Sequence, residues 1–421
     1  MFRHLPIYIL CGVMVCTVAL SSAMAEEEES SWYVQGYFKT FFTAFDPAGM
    51  SGADALPEEP MGGVSSNRLR LKFFWNPAEW FTFIAAYEMS PQLQFGGTMQ
   101  LSALPAASPA TYRVYDAREQ LYPGPDGTTG TFSLHNNIDR LTLVFSAPFM
   151  DVSLGRQAIG FGSARVINPT DIFAPFSYQA LDKEERYGID AVRVTIPLGQ
   201  MSELDMGYVF GKDASFSKSG AFLKGKMYFW DTDITLTSAL FRDNLLLGVD
   251  IARAIGDAGF WLEAAYVFAN LTDNYRPEDD YFRGSIGIDY NFADGVYVFA
   301  EYHFSSAGYT DPKDYLKAAG NVAYTEGGVQ FLGQHYISLG MTHQTTPLIT
   351  IGSQFVMNLL DPSVFWSANL AFSISDEATL EAGAFIAMGK EGRMQTLPNF
   401  APQSEFGLYP NIYYTAMKVY F

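Results

Sequence analysis

The sequence predicts an all-β fold, a single transmembrane antiparallel β-barrel of about 18 strands (16 as the alternative), with long outer loops and short periplasmic turns. Three observations carry this expectation. Apolar and polar residues alternate with period two along most of the chain. Aromatic residues make up 16% of it, with 35 Phe, 25 Tyr and 6 Trp. The last segment, residues 411–421, is itself well alternated and ends on Phe421. No stretch after the N-terminal region approaches the roughly 18 consecutive apolar residues of a membrane-spanning helix. Alternation without apolar helices is the signature of strands that show one face to lipid and the other to a lumen.

The N-terminus sets the expected compartment. Arg3 and His4 form a short basic opening, residues 7–20 are an apolar run, and Ala23-Met24-Ala25 supplies a small-x-small cleavage site ahead of acidic residues 26–29. That is the layout of a secretory signal covering residues 1–25, and the run is shorter than the about 20 residues of a membrane anchor. Cys16 follows Val15 and Cys11 follows Leu10, where a lipoprotein signal needs a small residue. Cleavage leaves residues 26–421 as the barrel and removes both cysteines, so no disulfide or thiol chemistry is expected. The chain carries a net charge of −19, and the loss of Arg3 makes the mature chain more acidic still. Such acidity opposes binding to nucleic-acid phosphates.

The period-two pattern is explicit in several segments. Leu69, Leu71, Phe73 and Trp75 oppose Arg68, Arg70 and Lys72; Leu141, Leu143 and Phe145 oppose Arg140 and Thr142; Ile349, Ile351, Phe355 and Met357 oppose Thr350, Gly352 and Gln354. Strands are expected at 32–43, 67–75, 80–89, 138–146, 150–158, 187–196, 203–211, 220–229 and 233–241. They continue at 244–254, 259–269, 282–291, 295–304, 334–343, 348–358, 364–374, 378–388 and 411–421. Merging 220–229 with 233–241 gives the alternative of 16. An even number returns both ends of the chain to the periplasm. Long connections such as 91–137, 160–186, 305–333 and 389–410 then fall on one side, and tight turns such as Ala293-Asp294-Gly295 and Asp376-Glu377 on the other.

Taking the polar face as inward, Lys39, Arg68, Arg70, Lys72, Arg140, Arg193 and Lys418 are expected to form one basic wall. Glu203, Asp205, Asp250, Glu263, Asp289, Glu301 and Glu381 would form the facing acidic arc, interrupted by Arg283. Opposed walls would set a transverse field across a water-filled pore; simple pairing and hydration of a polar interior is the plainer expectation.

The segment 155–194 carries a resemblance. Gly155-Arg156-Gln157, then Asn168-Pro169-Thr170-Asp171-Ile172-Phe173, then Glu185-Arg186-Tyr187-Gly188 resembles outer-membrane porins of the alginate-export and related specific-porin type. The resemblance covers about 40 residues. It implies a passive channel whose third outer loop sits in or near the pore. Arg156, Arg165, Asn168, Asp171, Asp182, Glu185 and Arg186 would then be constriction candidates. Gly160 and Gly162 let the chain leave the strand sharply and Pro169 and Pro175 stiffen the loop. Arg165 and Arg186 with Asp171 and Glu185 are placed to pin it to the wall.

Catalytic and cofactor signals are scarce. His4, His135, His303, His335 and His343 are scattered, no Gly-x-Ser-x-Gly elbow appears, and no glycine-rich phosphate loop follows a strand into a helix. No enzyme activity and no cofactor is expected. The expected location is the outer membrane of a Gram-negative bacterium, with outer-membrane lipid and the outer-membrane assembly machinery as partners, and a homo-oligomer left open. The rival reading is a barrel that sheathes a periplasmic multihaem cytochrome; the chain has no Cys-x-x-Cys-His, so the haem would belong to that partner.

Overall fold

A computed structural model describes residues 31–51, 61–96, 112–116, 119–124, 130–272, 275–396 and 399–421. The expected signal segment lies outside the described residues. Eighteen strands close into one antiparallel barrel. The first six are β1 (Trp32–Asp46), β2 (Gly62–Ala78), β3 (Phe81–Phe95), β4 (Phe132–Ala147), β5 (Met150–Gln157) and β6 (Ile189–Pro197). Next come β7 (Glu203–Val209), β8 (Gly220–Phe229), β9 (Thr232–Phe241), β10 (Asn244–Ile255), β11 (Ala258–Phe268) and β12 (Tyr281–Asn291). The last are β13 (Val296–Ser305), β14 (His335–Thr346), β15 (Ile349–Asn358), β16 (Ser363–Ser375), β17 (Ala378–Met388) and β18 (Asn411–Tyr420). Each pairs with its neighbour in sequence, and β18 closes against β1 in a register that sets Lys39 opposite Lys418 and Tyr37 opposite Tyr420. Phe421 continues this seam, exchanging backbone hydrogen bonds with Gly36. No helix among the described residues is long and apolar enough to cross a membrane.

All eighteen expected strands are present. The pair β8 and β9 is separate rather than merged, because Trp230 and Asp231 both adopt positive φ, 48° and 55°. Two consecutive left-handed residues make the two-residue turn whose twist suits a hairpin. The larger differences are at outer ends. β2 starts at Gly62 rather than 67, β3 runs to Phe95 rather than 89, and β4 starts at Phe132 rather than 138. These extensions carry Ser65, Ser66, Gln92, Gln94 and His135, so the apolar alternation that marks a lipid-facing strand is lost while the backbone ladder continues.

The outward face is lined by exposed Leu71, Leu141, Leu143, Leu236, Leu247, Ile288, Leu339 and Leu370. Exposed Trp80, Phe149, Trp230 and Phe292 sit at the tight turns, and the amphipathic indoles of the two tryptophans favour a membrane–water boundary. The connections on the other side are the long ones, and three of them matter below: L3 (158–188), L7 (306–334) and L9 (389–410). They fold over and into the barrel. Ile167 and Tyr178 of L3, Phe331 of L7 and Phe406 of L9 join Tyr336, Phe365, Phe385 and Tyr414 of the wall in one buried aromatic cluster.

Candidate functional site

The inner face carries the expected basic residues on adjacent strands: Lys39 on β1, Arg68, Arg70 and Lys72 on β2, Arg140 on β4, Arg156 on β5, Arg193 on β6 and Lys418 on β18. They do not form an uncompensated wall. Glu88 bonds Arg68 at 3.2 Å, Asp190 bonds Arg156 at 2.8 Å, and Asp205 holds both Arg193 at 2.8 Å and Lys224 at 3.1 Å. Asp139 is the centre of this side. A register shift between β3 and β4 pairs Ala86 with Arg140 and Tyr87 with Ile138, leaving Asp139 as the extra residue. The bulge turns Asp139 inward beside Arg140, a break of alternation that bulges permit. Its carboxylate takes Arg70 at 2.7 Å and Arg140 at 2.5 Å and accepts the Gly188 N–H at 2.9 Å. Glu381, expected on the opposite arc, instead pairs with Lys418 on the adjacent strand at 2.8 Å. Arg283 is fully buried and donates to the Gly327 carbonyl in L7 at 2.9 Å rather than interrupting a charged surface. The transverse field expected from bare opposed walls is therefore largely paired off by the protein's own carboxylates.

L3 supplies the rest of the compensation, and it does so on both sides of the lumen. Its first half docks on the acidic arc by backbone N–H groups. Glu263, buried on β11, accepts from Ser163 and Ala164 N–H at 3.2 Å each and from the Thr170 N–H and hydroxyl at 2.7 Å each. Glu301 on β13 accepts from Arg165 N–H at 2.7 Å, from Ile167 N–H at 3.3 Å and from the Trp261 indole at 3.0 Å. Asp250 accepts from the Ser163 hydroxyl, and Asp289 takes the Arg165 guanidinium at 2.7 Å. A ring of backbone donors around a carboxylate satisfies a loop whose amides have no ladder partner. Gly162 is required for this approach: its φ is +90°, and a Cβ there would lie 2.4 Å from the Glu263 carboxylate.

The second half of L3 docks on the basic side by its acids. Asp182 bonds Lys39 at 2.9 Å and Arg68 at 3.2 Å; Glu184 bonds Lys39 at 2.6 Å, Lys418 at 3.2 Å and the Tyr420 hydroxyl at 2.7 Å; Glu185 bonds Arg70 at 3.2 Å and Arg140 at 3.3 Å. Partial burial raises the Glu184 carboxyl, but the hydrogen bonds from Lys39 and Tyr420 and the charges of Lys39 and Lys418 outweigh it and hold the group down at about 2. The expected pinning by Arg165 and Glu185 is thus found. Asp171 and Arg186 bond each other instead, closing the loop on itself, with Arg186 also donating to the Ala174 carbonyl at 2.6 Å. Burial pushes the Asp171 carboxyl up.

Lys72 and Lys183, like Arg283, stay outside this pairing. Lys72 has no ion pair among the described residues and lies 4.7 Å over the Phe74 ring. Lys183 likewise has none, and burial lowers its ammonium. Sequence reasoning missed Asp139, Asp190, Glu184 and, from the connection between β3 and β4, Arg113 and Asp116. Arg113 donates to the Gly188 carbonyl at 2.7 Å, and Asp116 bonds Arg156 at 3.0 Å. Only the motif around Asn168 and Glu185 gave a signal for this region; a bulge has no local sequence mark. Among the described residues no group of three or more His, Cys, Asp or Glu is placed to hold a metal.

No family model and no curated protein matches the sequence. Solved structures do match the fold along nearly its whole length. OccAB2 of Acinetobacter baumannii superposes with a TM-score of 0.58 at 9% identity, covering 94% of this chain and 99% of that one. OccAB3 of the same organism gives 0.57 at 11%, covering 93% and 99%. A BenF-like porin from Pseudomonas fluorescens gives 0.54 at 10%, covering 93% and 98%. The chain has a porin fold. At these identities the likeness is one of fold alone.

Proposed function

We propose that this chain is an outer-membrane porin, a water-filled channel through which ions and small polar solutes diffuse passively. One observation carries the reading: L3 crosses the lumen and is fixed at both ends by oppositely signed contacts, Glu263 and Glu301 on one side and Lys39, Arg68, Arg70, Arg140 and Lys418 on the other. A loop anchored this way narrows a barrel of this strand number, and the charges along its edges face whatever passes. Arg68, Arg165, Glu184 and Glu185 keep part of their side chains exposed and are the groups a passing solute meets. The porin fold of the solved neighbours, one of them described as a BenF-like porin, agrees with this.

The cytochrome-sheath reading asks for a wide polar interior free of the chain's own segments. Here the outer half of the barrel holds L3, L7 and L9 packed against the wall, and no observation favours the sheath. Planar-bilayer recording of the purified, folded protein tests the proposal. Discrete conductance steps are expected; a folded barrel that never conducts, or that copurifies with a haem-staining partner, would contradict it.

A further inference from the structure

The outer rim holds a second buried polar cluster, which makes no hydrogen bond to L3 among the described residues. Asn358 ends β15, Tyr336 lies at the start of β14 and Ser363 opens β16; Tyr315 and Leu332 come from L7, Asp361 from the turn at 359–362, and Glu405 from L9. Tyr315, Tyr336, Asn358, Ser363 and Glu405 show no exposed surface. The amide nitrogen of Asn358 sits among four oxygens: the Tyr315 hydroxyl at 3.0 Å, the Tyr336 hydroxyl at 3.2 Å, Asp361 Oδ2 at 3.2 Å and Glu405 Oε2 at 3.0 Å. It has two hydrogens to offer them. Glu405 further accepts from the Leu332 N–H at 3.0 Å and from the Tyr336 hydroxyl, and Asp361 from the Tyr315 hydroxyl and the Glu405 N–H at 2.7 Å each.

Two carboxyl groups thus converge on one amide. Neither makes an ion pair among the described residues. The other titratable groups facing Glu405 are phenols: Tyr324 from L7, Tyr409 from L9 and Tyr178 from L3, beside Tyr315 and Tyr336. A buried carboxylate without a cation is costly, and a second carboxyl in the same site makes double ionisation costlier still.

We propose that Glu405, crowded by the Asp361 carboxyl, takes up a proton and forms a pH-responsive latch that ties L7 and L9 to the rim. Burial pushes the Glu405 carboxyl from its ordinary 4.5 up to about 7. A group raised in this way stabilises the latched state fully below the ordinary value, and the stabilisation is lost as pH rises through about 7. The latch bears on the lumen because Phe406, next to Glu405, packs with Phe331 of L7 and Tyr178 of L3.

Hydrogen–deuterium exchange of the folded barrel in detergent, corrected for the intrinsic pH dependence of exchange, tests the latch without requiring conduction. Amides in 327–333 and 403–409 should be several-fold more protected at pH 5 than at pH 8, while the strands are unchanged. Glu405→Gln should abolish the difference. Tyr336→Phe, which removes a donor from the Glu405 carboxylate, should move the midpoint upward. Equal protection of the wild type at both pH values, an undiminished pH response in Glu405→Gln, or an unmoved midpoint in Tyr336→Phe would each overturn the proposal.

Discussion

Lys39 on the first strand and Glu184 in the third outer loop meet at 2.6 Å, with no exposed surface on the lysine side chain. A buried ammonium is tolerated only with partners, and here both carboxylate partners, Asp182 and Glu184, are brought by L3. The loop is therefore part of the barrel's own charge balance. Removing both partners by Asp182→Asn with Glu184→Gln strands the lysine and should cost about 3–5 kcal/mol. Urea titration of the refolded barrel measures it; a loss below about 1 kcal/mol, the range of exposed pairs, would show that Lys39 finds solvent or another partner.

The same contact has a pH signature of the opposite sign to the rim latch. The Glu184 carboxyl is held down at about 2 from an ordinary 4.5. A depressed carboxyl contributes stability that is present above the ordinary value and lost as pH falls through the depressed one. Protease cleavage within 179–187 should thus be slow at pH 5 and rise as the protein is taken toward pH 2. Cleavage already rapid at pH 5, or still slow at pH 2, would contradict the pairing.

On the opposite side, Glu263 satisfies three backbone amides and one hydroxyl of L3. Glu263→Ala leaves these donors buried without an acceptor, at about 1–3 kcal/mol for each group left unsatisfied. Lower stability and noisier single-channel current are expected together. Current as quiet as the wild type's, in a stable barrel, would separate Glu263 from the positioning of L3.

The barrel was legible because its determinants are local. Leu69 to Trp75 and Leu141 to Phe145 alternate one residue at a time, and that pattern alone gives strand, face and register. The inner charge map was only half legible. Arg70, Arg140 and Lys418 were placed correctly on one wall, yet their partners arrive from a bulge at Asp139 and from Glu184, 234 residues from Lys418 in sequence. Alternation says which way a side chain points and is silent on which loop comes to meet it. Thr142 illustrates the limit. It faces inward as expected, but it is buried with its hydroxyl on the Arg156 carbonyl rather than bathed in water.

The lipid face is tested on β16, where Asn369 and Leu370 are adjacent, both exposed, and point to opposite sides. Leu370→Arg should destabilise the barrel by about 2–4 kcal/mol if it lies near the bilayer midplane, because the charge loses its hydration there. Asn369→Arg, facing the lumen, should cost far less. Equal effects would mean that the inward and outward faces are misassigned.

The most direct measurement concerns L3 itself. Deleting residues 163–178 removes the hydrogen bonds that L3 makes to Glu263 and Glu301 while leaving Asp182, Glu184 and Glu185 on the basic side. Single-channel recordings in bilayers, with the folded barrel confirmed by heat-modifiable migration, should show a larger conductance step than the wild type. Its reversal potential in a salt gradient should also change, less so at 1 M salt where the screening length is about 3 Å. An unchanged conductance step in a folded deletion variant would contradict the claim that this loop narrows the lumen.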